Sequence, residues 1–152
     1  MKKHINFLLD KYSVEDIEAA FIDCYMTQKN LDVSLILSDK KKYFNIKKYI
    51  EKNIPQSNDL YSLVNIFELL IPKKDKKING AFFTPYYITE WMLESCIENK
   101  GIPKILDPSC GCGAFLLTAL KKLKEKFNIT IRHGIENYIY GVDIAEYNVE
   151  RC

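Results

Sequence analysis

A chain of 152 residues with 47% apolar residues is long enough for one ordinary domain, or for a small helical unit fused to part of a larger fold. No run of about eighteen apolar residues is available to span a bilayer. With 22 Lys and Arg against 20 Asp and Glu, the net charge of +2 does not by itself mark a nucleic-acid binder. The basic start Met1-Lys2-Lys3-His4 leads into an apolar stretch that breaks at Asp10 without a small-residue cleavage site. That pattern argues against a secretory signal and predicts a cytoplasmic protein. Five cysteines, at 24, 96, 110, 112 and 152, are odd in number and form no C-x-x-C pair, so reduced thiols are expected. Cys110 and Cys112 have one residue between them, no second pair, and only His4 and His133 elsewhere, so no metal site is expected. The lysine clusters at 40–42, 47–48 and 73–77 read as solvated faces.

Ser13-Val14-Glu15-Asp16 reads as a helix start, with a hydroxyl to cap free backbone N–H groups and acids near the positive end of the helix. Ile17, Phe21, Cys24 and Tyr25 then share a face. A second amphipathic stretch begins at Asn58-Asp59, carries Leu60, Leu63, Val64, Phe67, Leu70 and Ile71, and ends at Pro72. Residues 1–71 are therefore expected to be mainly helical. Within 28–57, Val33 to Leu37 fits a short helix or a strand, and Tyr43 to Ile50 has weak helical periodicity. The polar run Pro72-Lys73-Lys74-Asp75-Lys76-Lys77 reads as a linker, with a boundary near residue 79 separating a helical region, 1–79, from a second region, 80–152.

Beyond the boundary the pattern is α/β. It predicts a helix from Pro85 to about Glu98, a strand at Lys104 to Asp107, a helix from Gly113 to about Lys126, and a strand at Tyr138 to Asp143. Two strands joined through a helix imply a parallel pair with a right-handed crossover. Thr84-Pro85 suits the start of the first of these helices, with threonine as N-cap and proline in the first turn.

The stretch from Ile105 to Leu116, ILDPSCGCGAFL, is a hydrophobic strand running through a glycine loop into a helix, a turn suited to a nucleoside cofactor. Gly111 and Gly113 allow the loop to approach a ligand closely. Leu116 stands where a pyrophosphate fingerprint needs its third glycine, which weighs against NAD or FAD. Asp107 at the strand tip suits the amino group of a methionine moiety, directly or through water, and would repel a phosphate. The bland alternative is an ordinary loop of an α/β protein. Asp143, ending the next strand, suits a pair of ribose hydroxyls or the capping of a helix that begins near Glu146. It lies thirty residues beyond Gly113, against a usual interval of about twenty, because of the extra segment Phe127 to Asn137. Ile144 is placed to cover an adenine face or to join the core.

Taken in order, Phe83-Thr84-Pro85, the Asp107 to Phe115 segment and Asp143 resemble the adenine-N6 DNA methyltransferases of bacterial restriction-modification systems, particularly type I modification subunits and fused restriction-methylation enzymes. The resemblance covers residues 80–147. It implies an α/β fold in which an N-terminal helical region precedes the first part of a Rossmann-like S-adenosylmethionine-dependent methyltransferase domain. By the same resemblance Phe83, Thr84 and Pro85 close over S-adenosylmethionine, and Asp107, Gly111 and Gly113 bind its methionine portion. Phe115 walls the pocket, Asp143 binds ribose, and Ile144 lies beside the adenine. Relatives often carry serine or threonine between the glycines, where this chain has Cys112.

The family's catalytic tetrapeptide, Asn or Asp followed by Pro-Pro and an aromatic residue, does not occur in these 152 residues. No catalytic residue is therefore expected here, and the chain alone is expected to be inactive. It would be a truncated product, a disrupted gene product or one piece of a split enzyme. DNA would be the partner of the complete enzyme, together with the missing C-terminal methyltransferase portion or a specificity subunit. A methyltransferase acting on protein glutamine or RNA, and a noncatalytic interaction module, are the alternatives.

Overall fold

The computed structural model describes residues 1–32, 41–55, 59–71, 84–98 and 100–152. The expected linker at 72–77, the boundary near residue 79, the Val33 to Leu37 segment and Phe83 lie outside the described residues. The chain divides into two compact units, Met1–Pro72 and Lys73–Cys152. Among the described residues no helix is long and apolar enough to cross a membrane.

The first unit is helical: α1 (Lys2–Leu9), α2 (Val14–Gln28), α3 (Phe44–Asn53) and α4 (Leu60–Leu70). The expected Ser13 cap forms, and Asp59 caps α4. Ser13 Oγ accepts from the Asp16 N–H at 3.2 Å, and the Asp59 carboxylate accepts from the Tyr61 N–H at 3.3 Å. Ile5, Leu8, Ile17, Phe21, Ile46, Ile50, Phe67 and Leu70 form the buried interior. One charge is taken into it. Asp23 is only 4% exposed, and it is held by Lys47 Nζ at 2.9 Å and by the Thr27 hydroxyl.

The second unit contains α5 (Tyr86–Cys96), β1 (Ile105–Asp107), α6 (Ala114–Phe127), α7 (Ile131–Asn137), β2 (Ile139–Gly141) and α8 (Glu146–Arg151). It is a mixed, mainly helical arrangement around a two-stranded parallel sheet in which Ile105, Leu106 and Asp107 pair with Ile139, Tyr140 and Gly141. Period-two alternation sends Ile105 and Ile139 towards a core of Leu93, Ile97, Ala119 and Leu123, supplied by α5, α6 and the residue that ends α5. The in-register neighbours Leu106 and Tyr140 point the other way and are exposed. The helices α5 and α6 are joined by a buried Thr89–Thr118 hydroxyl contact of 3.1 Å, by Lys122 to Glu94 at 2.7 Å, and by Lys126 Nζ donating to the Ile97 carbonyl.

Three local expectations change. The cap of α5 falls on Pro85, not Thr84. Proline fixes φ but leaves ψ free, and at ψ 142° Pro85 is still extended, with its carbonyl accepting from Ile88 and Thr89. The segment between α6 and β2 is not simply an extension. Asn128 ends α6 in the left-handed region at φ 52°, and Thr130 then caps the new helix α7 by accepting from His133. The second strand is also shorter than expected, because its partner β1 ends at Asp107, where the chain turns through Pro108 and Ser109.

Candidate functional site

Strand β1 ends at Asp107, whose Oδ1 accepts the Ser109 N–H at 3.0 Å and so starts the turn. The ladder continues past the strand ends. Val142 N–H donates to the Asp107 carbonyl and Cys110 N–H to the Val142 carbonyl, each at 2.9 Å, so the loop is stitched to the chain leaving β2. Gly111 and Gly113 have φ of +55° and +82°, a region that side chains with a Cβ rarely adopt. Gly113 is also the N-cap of α6, its carbonyl accepting from Leu117 at 2.8 Å. A Cβ built on Gly111 meets nothing within 4 Å, which leaves open space over the loop. One built on Gly141 would press on Leu116 and Cys110, so a side chain there would force both to give way.

Asp143 closes the arrangement. Its Oδ2 accepts the Gly111 N–H at 2.9 Å, while Oδ1 accepts the Ala145 N–H at 2.9 Å and the Asn148 amide at 3.0 Å. Burial acts to raise its pKa, but the N–H of Ala145, the Asn148 amide and the N–H groups of Gly111 and Ile144 together outweigh it and hold the carboxyl below its usual value. The neighbouring thiols are neutral. Burial raises Cys110, with Asp143 and Asp107 adding to the effect, and burial together with Cys110 pushes Cys152 up to about 12.

The structure therefore brings Gly111 and Asp143 into direct contact and sets Gly113 and Asp107 on the same loop. Asp143 bonds the Ala145 N–H, just ahead of α8, whose N-cap is Ala145 itself. Phe115 packs on the α5–α6 core and Ile144 is 93% exposed, so neither joins the hydrogen-bonded cluster. Thr84 is exposed and Pro85 half-buried ahead of α5. Among the described residues no group of three or more His, Cys, Asp and Glu is placed to hold a metal ion. Sequence reasoning missed Asn148, which is buried within the cluster. A signal existed: asparagine is a poor helix former, and here it stands inside an otherwise ordinary helical stretch.

The described residues of the second unit are thus of a mixed, mainly helical class with a small two-stranded parallel sheet, in which a glycine loop and an acid meet at the carboxyl ends of the strands. The family described as N-6 DNA Methylase matches residues 56–152, more than half of the chain, and the chain belongs to that family. The type I restriction enzyme EcoEI methylase subunit of Escherichia coli is 28% identical over 130 residues, 84% of this chain and 25% of that protein. The type II restriction enzyme and methyltransferase RM.BcgI of Heyndrickxia coagulans is 39% identical over 69 residues, 44% of this chain and 11% of that protein. The type II methyltransferase M.VspI of Vibrio sp. (strain 343) is 28% identical over 116 residues, 75% and 26% of the two chains. The chain thus spans about a quarter or less of the length of these relatives. No solved structure matches it.

Proposed function

We propose that this chain is the methyl-donor-binding portion of a restriction-modification DNA methyltransferase that acts on the adenine amino group. The carrying observation is the Gly111 to Asp143 contact at the carboxyl ends of two parallel strands, beneath open space. Residues 80–152 would then be the first part of a Rossmann-like domain behind a helical region, 1–79. The donor set fits S-adenosylmethionine: Asp107 suits its ammonium group, the Cβ-free loop at Gly111 allows close approach while Cys152 lies against Gly113, and Asp143 suits the ribose hydroxyls. Asp143 already accepts from Gly111 on Oδ2 and from Ala145 and Asn148 on Oδ1, so a diol would take the acceptor site still open on Oδ2 or replace the Gly111 contact there. Phe83, Thr84, Pro85 and Ile144 would complete the enclosure, while Phe115 would support it from the core.

When bound, the cofactor supplies the methyl group. The residues described here bind and orient the donor, while extraction of the adenine and alignment of its nitrogen need a second set of groups. DNA and either the remaining methyltransferase portion or a specificity subunit are the proposed partners, in keeping with the restriction-modification relatives. The test is calorimetric titration with S-adenosylmethionine, followed by incubation with tritiated cofactor and DNA, alone and with the rest of the methyltransferase co-expressed. Binding is expected from the chain alone, and label in DNA only from the complemented mixture. Absence of binding overturns the cofactor reading; labelling by the chain alone overturns the division of labour.

A further inference from the structure

We propose that Asn148 is a positioning residue for the methyl-donor site, an amide that holds Asp143 in place and ties it to the glycine loop through Cys112. The proposal rests on the reading of Asp143 as a cofactor ligand. Asn148 is 5% exposed, and its Nδ2 donates to Asp143 Oδ1 at 3.0 Å while its Oδ1 faces the Cys112 thiol at 3.8 Å. Chemistry fixes which end of the amide points where. An ionised carboxylate only accepts, so the NH2 group must face Asp143, and the carbonyl is left for the S–H donor. Among ordinary side chains of this size only asparagine offers a donor on one side and an acceptor on the other. The backbone holds it there, since Asn148 N–H donates to the Ala145 carbonyl and the Asn148 carbonyl accepts from Cys152.

By occupying Oδ1 together with the Ala145 N–H, the amide fixes the carboxylate plane and turns Oδ2 towards the loop, the one oxygen that a ligand reaches by replacing a single contact. Cys110 and Cys112 on the loop, Asp107 at the end of β1, Tyr140 in β2, and Glu146, Tyr147, Glu150, Arg151 and Cys152 from α8 onward are the titratable or charged groups of the elements around this cluster. Arg151 lies over the Tyr147 ring.

The test uses the whole chain and the isosteric substitution Asn148→Asp. At neutral pH the introduced carboxylate loses the donor and sets like charge against Asp143; on protonation it regains a donor hydroxyl. Affinity for S-adenosylmethionine is expected to fall about tenfold at neutral pH and to recover towards wild type near about pH 5, with no such recovery in the wild type. An unchanged affinity and pH profile overturns the proposal. A second measurement needs no variant: in the ligand-free wild type, the Asn148 side-chain amide resonances must shift as the Asp143 carboxyl titrates, and their failure to move also overturns it. Asp143→Asn separates the two readings. Undiminished affinity in that variant defeats the cofactor reading, while the ligand-free titration decides the Asn148 contact by itself.

Discussion

Replacing Gly111 with alanine separates the folding role of the loop from its ligand role. At φ +55° an alanine is left-handed, which costs about 1–2 kcal/mol through its Cβ. Loss of glycine's freedom in the unfolded chain returns about 0.4–1 kcal/mol. No packing penalty is added, because the new methyl meets nothing within 4 Å and the Gly111 N–H that reaches Asp143 is retained. The net cost is about 1 kcal/mol, or about 4–8 °C in the melting temperature of a unit of this size. A bound cofactor changes the balance, since the methyl projects into the space that the ligand would fill, and overpacking of about 1–3 kcal/mol corresponds to about a 5- to 150-fold loss of affinity. Thermal unfolding followed by circular dichroism reads the first effect, and calorimetric titration with S-adenosylmethionine the second. An unchanged or raised melting temperature refutes the strain argument. A normal affinity in a variant destabilised as expected refutes the placement of the cofactor against this loop.

Asp143 has a lowered folded pKa, so its carboxylate contributes stability that is present above its ordinary value of 3.8 and is lost as pH falls below that, through the folded value. The stability difference between wild type and Asp143→Asn should shrink over that window; a constant difference in urea midpoint from about pH 6 to about pH 2.5 contradicts it. In Gly134→Ala the new methyl presses on the end of the Leu120 side chain while alanine gains about 1 kcal/mol in the middle of α7, so the net change is expected to stay within about 1 kcal/mol and to become more favourable beside Leu120→Val. Additive denaturation midpoints for the two changes would count against that contact. In the helical unit, Lys47→Met leaves Asp23 buried without its ion-pair partner, and about 3 kcal/mol of stability should disappear, with partial recovery in the double variant carrying Asp23→Leu. Recovery absent in the double variant would show that the charge is not the cause.

Local chemistry was legible along the chain because it is written in neighbouring residues. Ser13 and Asp59 announced helix starts by their side chains, and the apolar periodicity of Leu60 to Leu70 announced a buried face. The strand, glycine loop and helix around Asp107 to Leu116 followed from an apolar run meeting two glycines, both of which adopt positive φ. A helix between two strands implied their parallel pairing. Proline at 85 marked a helix start without deciding its position, since ψ of Pro85 answers to the carbonyl contacts of the following turn. The short helix Ile131–Asn137 was hidden because its apolar signal is brief and its stability comes from a cap and from packing against α6. What joins Gly111 to Asp143, and Asn148 to Cys112, is contact between residues 32 and 36 positions apart. No local pattern carries such contacts. They exist only once the parallel pairing has brought the two strand ends together, and the tertiary structure therefore decided which acid meets the loop and which amide holds it.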